Sequence, residues 1–472
     1  MPYLIAIDIG TTSTKALAVD AQGATLATWN VPYHLYHTQD DRAEQHPADI
    51  WAAVSTCLQK LQQICLKQGE LQGIVFSAAM HSLMAVDEAG IPLTPLITWA
   101  DNRAADIATK LRTENPDLYT RTGTPIHAMS VLPKLIWLRE NQPEVFQKAR
   151  HFCGIKEYVM YQLSGQWICD HSIASATGLM RLDTQAWDEE ALKLAGIGPE
   201  RLPRLVAPQF HLHALTGAPI GTSVIAGASD GCCANLGAEA TQPGDVVITI
   251  GTSSALRACV QAPYLDPQMR TFCYLLDAAR PVIGGGANSG AYVLQWMKEN
   301  LFAYRGSLSR FYALAATAPP GSEGLLFFPY LMGERAPLWN PHIRGALSGL
   351  GVAHTRAHLI RAAMEGVVYN LASIYEVLRT ETPLKRLVAT GGFTQNALWL
   401  QICADVFQTP VQTVPGLEAS ARGALALARE ALNLPSLPPL EGWVTYQPDE
   451  AAGRVYAEMR ARFGRENDFR NS

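Results

Sequence analysis

An α/β protein built from two similar lobes is the architecture this sequence predicts, and three observations carry that expectation. Residues 7–13 read IDIGTTS and residues 248–254 read ITIGTSS. Ile7, Ile9, Gly10, Thr11 and Ser13 thus recur as Ile248, Ile250, Gly251, Thr252 and Ser254, about half the chain apart. Each copy follows a β-rich apolar run (LIAIDI or DVVITI) and precedes another (KALAVD or ALRACV), so both read as β-hairpins. In each half a short buried strand, GIVF at 73–76 and LVA at 387–389, runs into a loop of small residues, SAAMHS or TGGFTQN. Ligand-binding loops of α/β sheets have that pattern. Duplication of one lobe explains these echoes together, whereas chance similarity explains only the hairpins.

The elements follow in order. After the first hairpin, residues 47–67 place Ile50, Val54, Leu58 and Leu61 on one helical face. Helical periodicity returns at 355–379 and at 396–407, and a last helix is expected near 449–463, after a looser stretch beyond about 435. The Gly- and Pro-bearing segment GAEATQPGD at 237–245 marks the boundary, giving an N-terminal domain over 1–242 and a C-terminal domain over 243–472. The length of 472 residues suits two domains at roughly 100–200 residues each.

Composition narrows the function classes. Hydrophobic residues make up 48% and charged residues only 17%, so the chain can bury large cores. Lys and Arg number 37 against 42 Asp and Glu, a net charge of −5. Nucleic acid and anionic membranes are therefore not expected partners. Nine cysteines, an odd number without a Cys-x-x-Cys pair, argue against a disulfide framework or structural zinc site and fit a reducing cytoplasm. The first residues read as a strand, since Asp8 and Lys15 interrupt their apolar run, and not as a signal peptide. No apolar run is long enough for a transmembrane helix.

The first hairpin turn, Gly10-Thr11-Thr12-Ser13-Thr14 followed by Lys15, gathers backbone N–H groups, hydroxyls and an ammonium. That combination makes a cradle for phosphate. Asp8 just before it makes sense if Mg²⁺ lies between carboxylate and phosphate; otherwise it is a solvated residue of an ordinary hairpin. The second copy keeps Gly251, Thr252 and Ser253 but has Thr249 for Asp8 and Leu256 for Lys15. Two hairpins related by a pseudo-twofold axis would face one nucleotide, and one metal needs only one carboxylate. No GxxxxGK[ST] loop occurs. The glycine-rich stretch from Gly284 to Gly290 fails GxGxxG and reads mainly as a strand-to-helix turn, with Gly290 on the nucleotide side.

Asp230 follows the apolar strand VIAG and precedes a segment of small residues. It is either a helix N-cap or a general base, because phosphoryl transfer to a hydroxyl needs a carboxylate within reach of the attacking oxygen. Two further segments suit a polar substrate: Met80-His81, and Trp99 to Arg103. Trp99 offers a flat face to a polyol chain, or belongs to the core. Asp101 and Arg103 offer directed hydrogen bonds, or form a helix-start pair. Met332-Gly333-Glu334-Arg335 is a loop near the cleft or only a surface turn.

Together these residues resemble the FGGY family of carbohydrate kinases over nearly the whole chain. IDIGTTSTK and GTSS resemble the family's two phosphate motifs, and GGFTQNALWLQICAD at 391–405 resembles its adenosine motif. The C-terminal family signature fits at 345–365. The N-terminal one, at 129–141, fits at Lys134, Trp137 and Glu140-Asn141, but has Val131 where Pro, Ser or Thr is usual. The resemblance implies two ribonuclease-H-like (actin-like ATPase) domains with a central nucleotide and substrate cleft. It implies ATP and Mg²⁺ as cofactors, a small sugar or sugar acid as substrate, and admits a homodimer. It assigns Asp230 as catalytic base and Asp8 to the metal. Thr11, Thr12, Lys15, Gly251, Thr252, Gly391, Gly392 and Asn396 fall to ATP. Met80, His81, Trp99, Asp101 and Arg103 fall to substrate.

Within the family, AMHSLMAVD, ITWADNRA and YLMGERAPLWNP are most similar to gluconate kinases, which implies phosphorylation of D-gluconate to 6-phosphogluconate. A xylulose kinase would show Gln before Met-His, where this chain has Ala79. Gluconate's carboxylate calls for a cation, with His81, Arg103 and His127 as candidates. The alternatives are a xylulose or other polyol kinase and, more remotely, an actin-like ATPase without a sugar substrate.

Overall fold

The computed structural model describes residues 2–39 and 41–471. In the first lobe, β1 (Tyr3–Ile9) and β2 (Ser13–Asp20) form the expected hairpin, and β3 (Thr25–Pro32) extends it. Helix α1 (Pro47–Cys65) starts with Pro in its first turn and packs Ile50, Val54, Leu58 and Leu61 inward. Strand β4 (Leu71–Ala78) follows, then β5 (His211–His213), β6 (Ser223–Ser229) and helix α2 (Asp230–Gly237). Among the described residues these strands form one sheet in the order β5-β6-β4-β1-β2-β3, with β1, β4 and β6 parallel.

The second lobe repeats the plan. Strands β7 (Asp245–Ile250), β8 (Ser254–Cys259), β9 (Phe272–Asp277) and β10 (Arg280–Ala287) come first. They are followed by α3 (Arg356–Leu378), β11 (Arg386–Thr390), α4 (Ala397–Phe407), β12 (Val411–Thr413), α5 (Ala419–Ala431), β13 (Val444–Tyr446) and α6 (Glu450–Asn471). The sheet order is β9-β10-β8-β7-β11-β12-β13, with β7, β11 and β12 parallel. Three antiparallel strands joined to two parallel ones thus occur in both lobes, in the order β3-β2-β1-β4-β6 and β10-β8-β7-β11-β12.

The echo holds at the level of hydrogen bonds. Ser77 Oγ on β4 donates to Asp8 Oδ1 on β1 at 2.7 Å. In the second lobe the Thr249 and Thr390 hydroxyls share a bond of 2.8 Å at the same cross-strand position.

The hairpins differ in one respect that the sequence alignment hides. Ile9 pairs with Thr14, but Ile250 pairs with Ser254, so the second turn is one residue shorter. Lys15 faces Asp8, whereas Thr249 faces Ala255 and not Leu256. Because residues two apart share a strand face, Arg257 lies on that same side. Two further expectations are corrected. Gly284, Gly285 and Gly286 lie inside β10, not in a turn, and the last helix runs on to Asn471. A Cβ on Gly284 would sit 2.2 Å from the Leu256 carbonyl, so the glycines let β8 and β10 approach closely.

The lobes are not separately packed. Leu4, Ala6, Val75 and Ile225 of the first sheet share a buried cluster with Phe272, Tyr274, Ala424 and Leu425 of the second half. Helices α2 and α5, which follow equivalent strands, cross there with backbones in contact. A Cβ on Gly237 would lie 1.9 Å from the Ala419 carbonyl, and one on Gly423 1.9 Å from that of Cys233. All nine cysteines are free and buried. Among the described residues no helix is long and apolar enough to cross a membrane.

Candidate active site

The cleft between the lobes is lined by the ends of the two hairpins, the start of α2 and loops from both sheets. Asp230 is the first residue of α2, but it does not cap the helix. Ser229 does, its hydroxyl accepting from the Cys232 N–H at 3.3 Å. The Asp230 carboxylate is therefore not consumed by the helix end; Oδ1 accepts the Gly231 N–H, at 2.6 Å. Burial pushes this carboxyl up, while the nearby Arg257, Lys156 and Arg335 charges oppose the shift. Asp8 is close enough that the two carboxylates repel. Burial first, and then the Asp230 charge, push Asp8 up to about 7.

Each hairpin turn is held by its own backbone. Gly10 N–H donates to Ser13 at 3.0 Å and Gly251 N–H to Ser253 at 2.9 Å. In the first turn Thr11 Oγ1 accepts from Trp99 Nε1 at 2.9 Å, and Gln45 Nε2 donates to the Thr11 carbonyl at 2.7 Å. Thr12 and Thr252 project freely as exposed residues. Lys15 reaches across the cleft to Glu418, 3.2 Å away. Gly290 packs onto the second turn: a Cβ there would sit 2.6 Å from the Thr252 carbonyl oxygen. Gly391 adopts φ 95° at the end of β11, a conformation that favours glycine, and Gly392 beside it faces open space. Asn396 caps α4, its Oδ1 accepting from Trp399 N–H at 3.0 Å.

The substrate-side candidates separate into two groups. Met80 packs against the second lobe's core and the cluster the two lobes share, and His81 sits beside it with a left-handed backbone, φ 68°. His81 Nδ1 meets the Ala176 carbonyl at 2.8 Å and Nε2 lies 3.4 Å from the Tyr274 hydroxyl. Trp99 is half-buried at the cleft, with Arg335 of the other lobe 4.6 Å above its ring. His127 accepts from Met129 N–H at 3.2 Å and packs against Trp339. Asp101 and Arg103, by contrast, are tied into the first lobe. Arg103 grips Asp101 through Nε and Nη2, both at 2.8 Å, and also pairs with Glu44. Asp101 Oδ2 accepts from Ala43 N–H as well, at 2.8 Å.

Arg257 and Glu418 escape sequence reasoning, while Lys134 and Arg335 enter it without a role at the site. Arg257 lies over Gly231, where a Cβ would be 2.7 Å from its Nε, and its Nη1 lies 3.4 Å from Thr249 Oγ1. Lys134 gives its three ammonium hydrogens to the carbonyls of His81, Thr98 and Met129, at 2.7, 2.7 and 2.8 Å. It thereby ties together both substrate-side loops. Arg335 comes from the Met332–Arg335 loop, which is thus at the cleft and not a distant surface turn. Glu418 could be found from sequence only by knowing that α5 starts opposite the first hairpin.

The geometry sets the Asp8 and Asp230 carboxylates near each other, with the Arg257, Lys156 and Arg335 charges around Asp230. Comparison with known proteins agrees. Residues 3–237 match the N-terminal domain of the FGGY family of carbohydrate kinases, and residues 246–432 match its C-terminal domain. A gluconokinase of Bacillus licheniformis is 43% identical, covering 90% of this chain and 86% of that protein. One of Bacillus subtilis is 41% identical with the same coverage. A xylulose kinase of Bacillus subtilis is 30% identical, over 91% of this chain and 88% of that one. Among solved structures, a gluconate kinase of Lactobacillus acidophilus superposes with a TM-score of 0.93 at 32% identity, covering 100% of this chain and 98% of that one. A xylulose kinase of the same organism gives 0.93 at 33%, over 99% and 98%. Both halves of the chain therefore carry the family's domains in the family's order, and the protein belongs to the FGGY family of carbohydrate kinases, ATP-dependent phosphotransferases.

Proposed function

We propose that this kinase phosphorylates D-gluconate on its terminal hydroxyl, with MgATP as donor. The observation that carries the substrate is the gap in similarity. Relatives named gluconokinase stand at 43% and 41% identity and the xylulose kinase at 30%, over the same span of chain. The solved structures do not separate the two substrates, since both superpose equally well.

Asp230 takes the proton of the attacking hydroxyl as that oxygen forms its bond to the γ-phosphorus and the bond to the β-phosphate oxygen breaks. The uncapped position of its carboxylate at the cleft supports that role. The backbone N–H groups and hydroxyls of Thr11, Thr12 and Thr252 hold the phosphates, with Gly251 allowing close approach and Lys15 beside them. Gly391, Gly392 and Asn396 form the adenosine side.

Asp8 fits Mg²⁺. Two mutually repelling carboxylates in one buried pocket favour a cation there, and no cluster of three or more acidic, His or Cys residues among the described residues suggests a cage made of protein alone. Mg²⁺ held by one carboxylate, water and substrate phosphates would neutralise charge on those phosphates. Met80, His81 and Trp99 orient the substrate, and Asp101 and Arg103 brace their loop. A cytoplasmic location suits nine buried thiols without a disulfide, and a homodimer accords with the family.

The test is ADP release with MgATP and D-gluconate, D-xylulose, L-ribulose, glycerol or no sugar. Turnover with gluconate far above the others is the expected result. Turnover confined to a ketose or polyol overturns the substrate while leaving the kinase.

A further inference from the structure

Resting on the reading above, a sugar-acid substrate needs a cation for its carboxylate, at the end of the molecule away from the hydroxyl that Asp230 deprotonates. The three candidates read from sequence do not supply one. Arg103 is saturated by Asp101 and Glu44, with 3% of its side chain exposed. His81 is held by a carbonyl and a tyrosine hydroxyl, and His127 accepts a backbone N–H through Nδ1. Burial pulls both imidazoles down to about 3, so both are neutral near pH 7. Lys134 has no hydrogen left to give.

Arg257 and Arg335 also reach the cleft, from different elements. Arg257 sits over Gly231 and bonds toward Thr249, on the strand that carries the second phosphate turn. It is the largest charge opposing the upward shift of Asp230. That is the reacting-hydroxyl end, where a substrate carboxylate would meet Asp230 and Asp8 and be repelled. Arg335 also bears on Asp230 through its charge, but its guanidinium lies between Trp99 of the first lobe and Gly286 of the second, with Met129 Sδ 4.0 Å from Nη1.

The bonding of Arg335 is incomplete for a guanidinium. Nη2 donates to the Ala287 carbonyl at 2.9 Å, and Nε has no partner among the described residues. Among the described residues no carboxylate forms an ion pair with it, although the Glu334 and Asp230 charges act on it. The adjacent Glu334 is committed to Asn288 N–H at 2.5 Å, Ser289 Oγ at 2.8 Å and the Arg335 backbone N–H at 2.8 Å. Arg103 and Arg361, by contrast, are paired with carboxylates: Asp101 and Glu44 for Arg103, Glu365 at 2.8 Å for Arg361. A guanidinium left without a counterion in such surroundings is unfavourable, and its fork matches a carboxylate. Gly286 keeps the space open, since a Cβ there would lie 3.1 Å from Nη1.

We propose that Arg335 is the carboxylate anchor of the substrate site, so that the enzyme selects aldonates over neutral polyols through a contact made by the C-terminal lobe. The substrate then spans the cleft, with its hydroxyl end at Asp230 and its carboxylate on the loop that packs over Trp99. Binding the acid ties the two lobes together.

The experiment compares wild type, Arg335→Met and Arg335→Lys in steady-state kinetics and thermal-shift titrations with D-gluconate, D-glucitol and MgATP. Arg335→Met is expected to raise the KM for gluconate on the order of 100-fold, more than it lowers kcat, and to lose the gluconate-induced shift. Arg335→Lys recovers part of both, because it keeps the charge and loses the fork. The shift with MgATP persists in both variants, which establishes that they fold. Wild-type turnover of gluconate with an Arg335→Met KM within threefold of wild type overturns the anchor and leaves the substrate reading intact. Wild-type turnover only of neutral polyols overturns both.

Discussion

Asp230 and Arg257 are coupled through charge, and that coupling sets an expected pH profile. Asp230 works as a base only when ionised. Burial raises its carboxyl above the ordinary aspartate range, so the acidic limb of kcat/KM should lie above that range. The charged groups around it are Arg257, Lys156 and Arg335, which favour ionisation, and Asp8, which opposes it. Removing a positive neighbour disfavours the carboxylate, so Arg257→Met should move the acidic limb to higher pH. A limb that stays in place separates Arg257 from Asp230. Asp230→Asn should lower kcat by about 10²–10⁴-fold while the MgATP-induced thermal shift persists; near-normal turnover removes the base assignment. At this same scale, sequence reasoning found the right segments and misjudged individual side chains. Asp101 and Arg103 read either as substrate contacts or as a helix-start pair; the structure pairs them, and Glu44, which completes their cluster, is far away in sequence. Arg257 went unnoticed because the second turn is one residue shorter, and matching residue to residue put Leu256 opposite Lys15.

Elements were far more legible than side chains. The hairpins, α1, α3 and α4 follow from apolar periodicity, a signal written locally at every turn or pleat. Sheet order, by contrast, depends on contacts distant in the chain, and only the internal echo hinted at it. Helix α2 shows how an element serves the chemistry. Its eight residues include two glycines and give it little intrinsic helical preference. Its start is fixed instead by the Ser229 cap and by a bond between the Ser229 and Ser172 hydroxyls at 3.0 Å. Because Asp230 is the next residue, the cap also sets where the carboxylate stands. Ser229→Ala should cost about 1 kcal/mol, read as a Tm lower by roughly 2–4 °C. It should also lower kcat more than it changes either KM. An unchanged Tm in thermal unfolding removes Ser229 as the cap.

The lobes as wholes meet where α2 and α5 cross, and this contact has a different character from the bridge at the mouth of the cleft. Lys15 and Glu418 are about half exposed, so their pair adds little to stability. The helix crossing is backbone against backbone. Gly237 and Gly423 each leave room for a carbonyl of the opposite helix that a methyl group would strike at 1.9 Å. Ser420 Oγ on α5 also donates to the Asp230 carbonyl at 3.2 Å, so α5 touches the residue proposed as the base. In Gly423→Ala, the helices have to part, and closely packed interiors resist that by about 1–3 kcal/mol. The expected result is a Tm lower by several degrees. Turnover should fall as well, because Asp230 shifts away from the phosphate turn of the other lobe, with the ATP and sugar KM values moving less. Gly464→Ala on α6 is the control: it meets open space and replaces a helical glycine, so it should stabilise by about 0.5–1 kcal/mol with kcat unchanged. Equal Tm and kcat in the two variants would show that the crossing tolerates a methyl group.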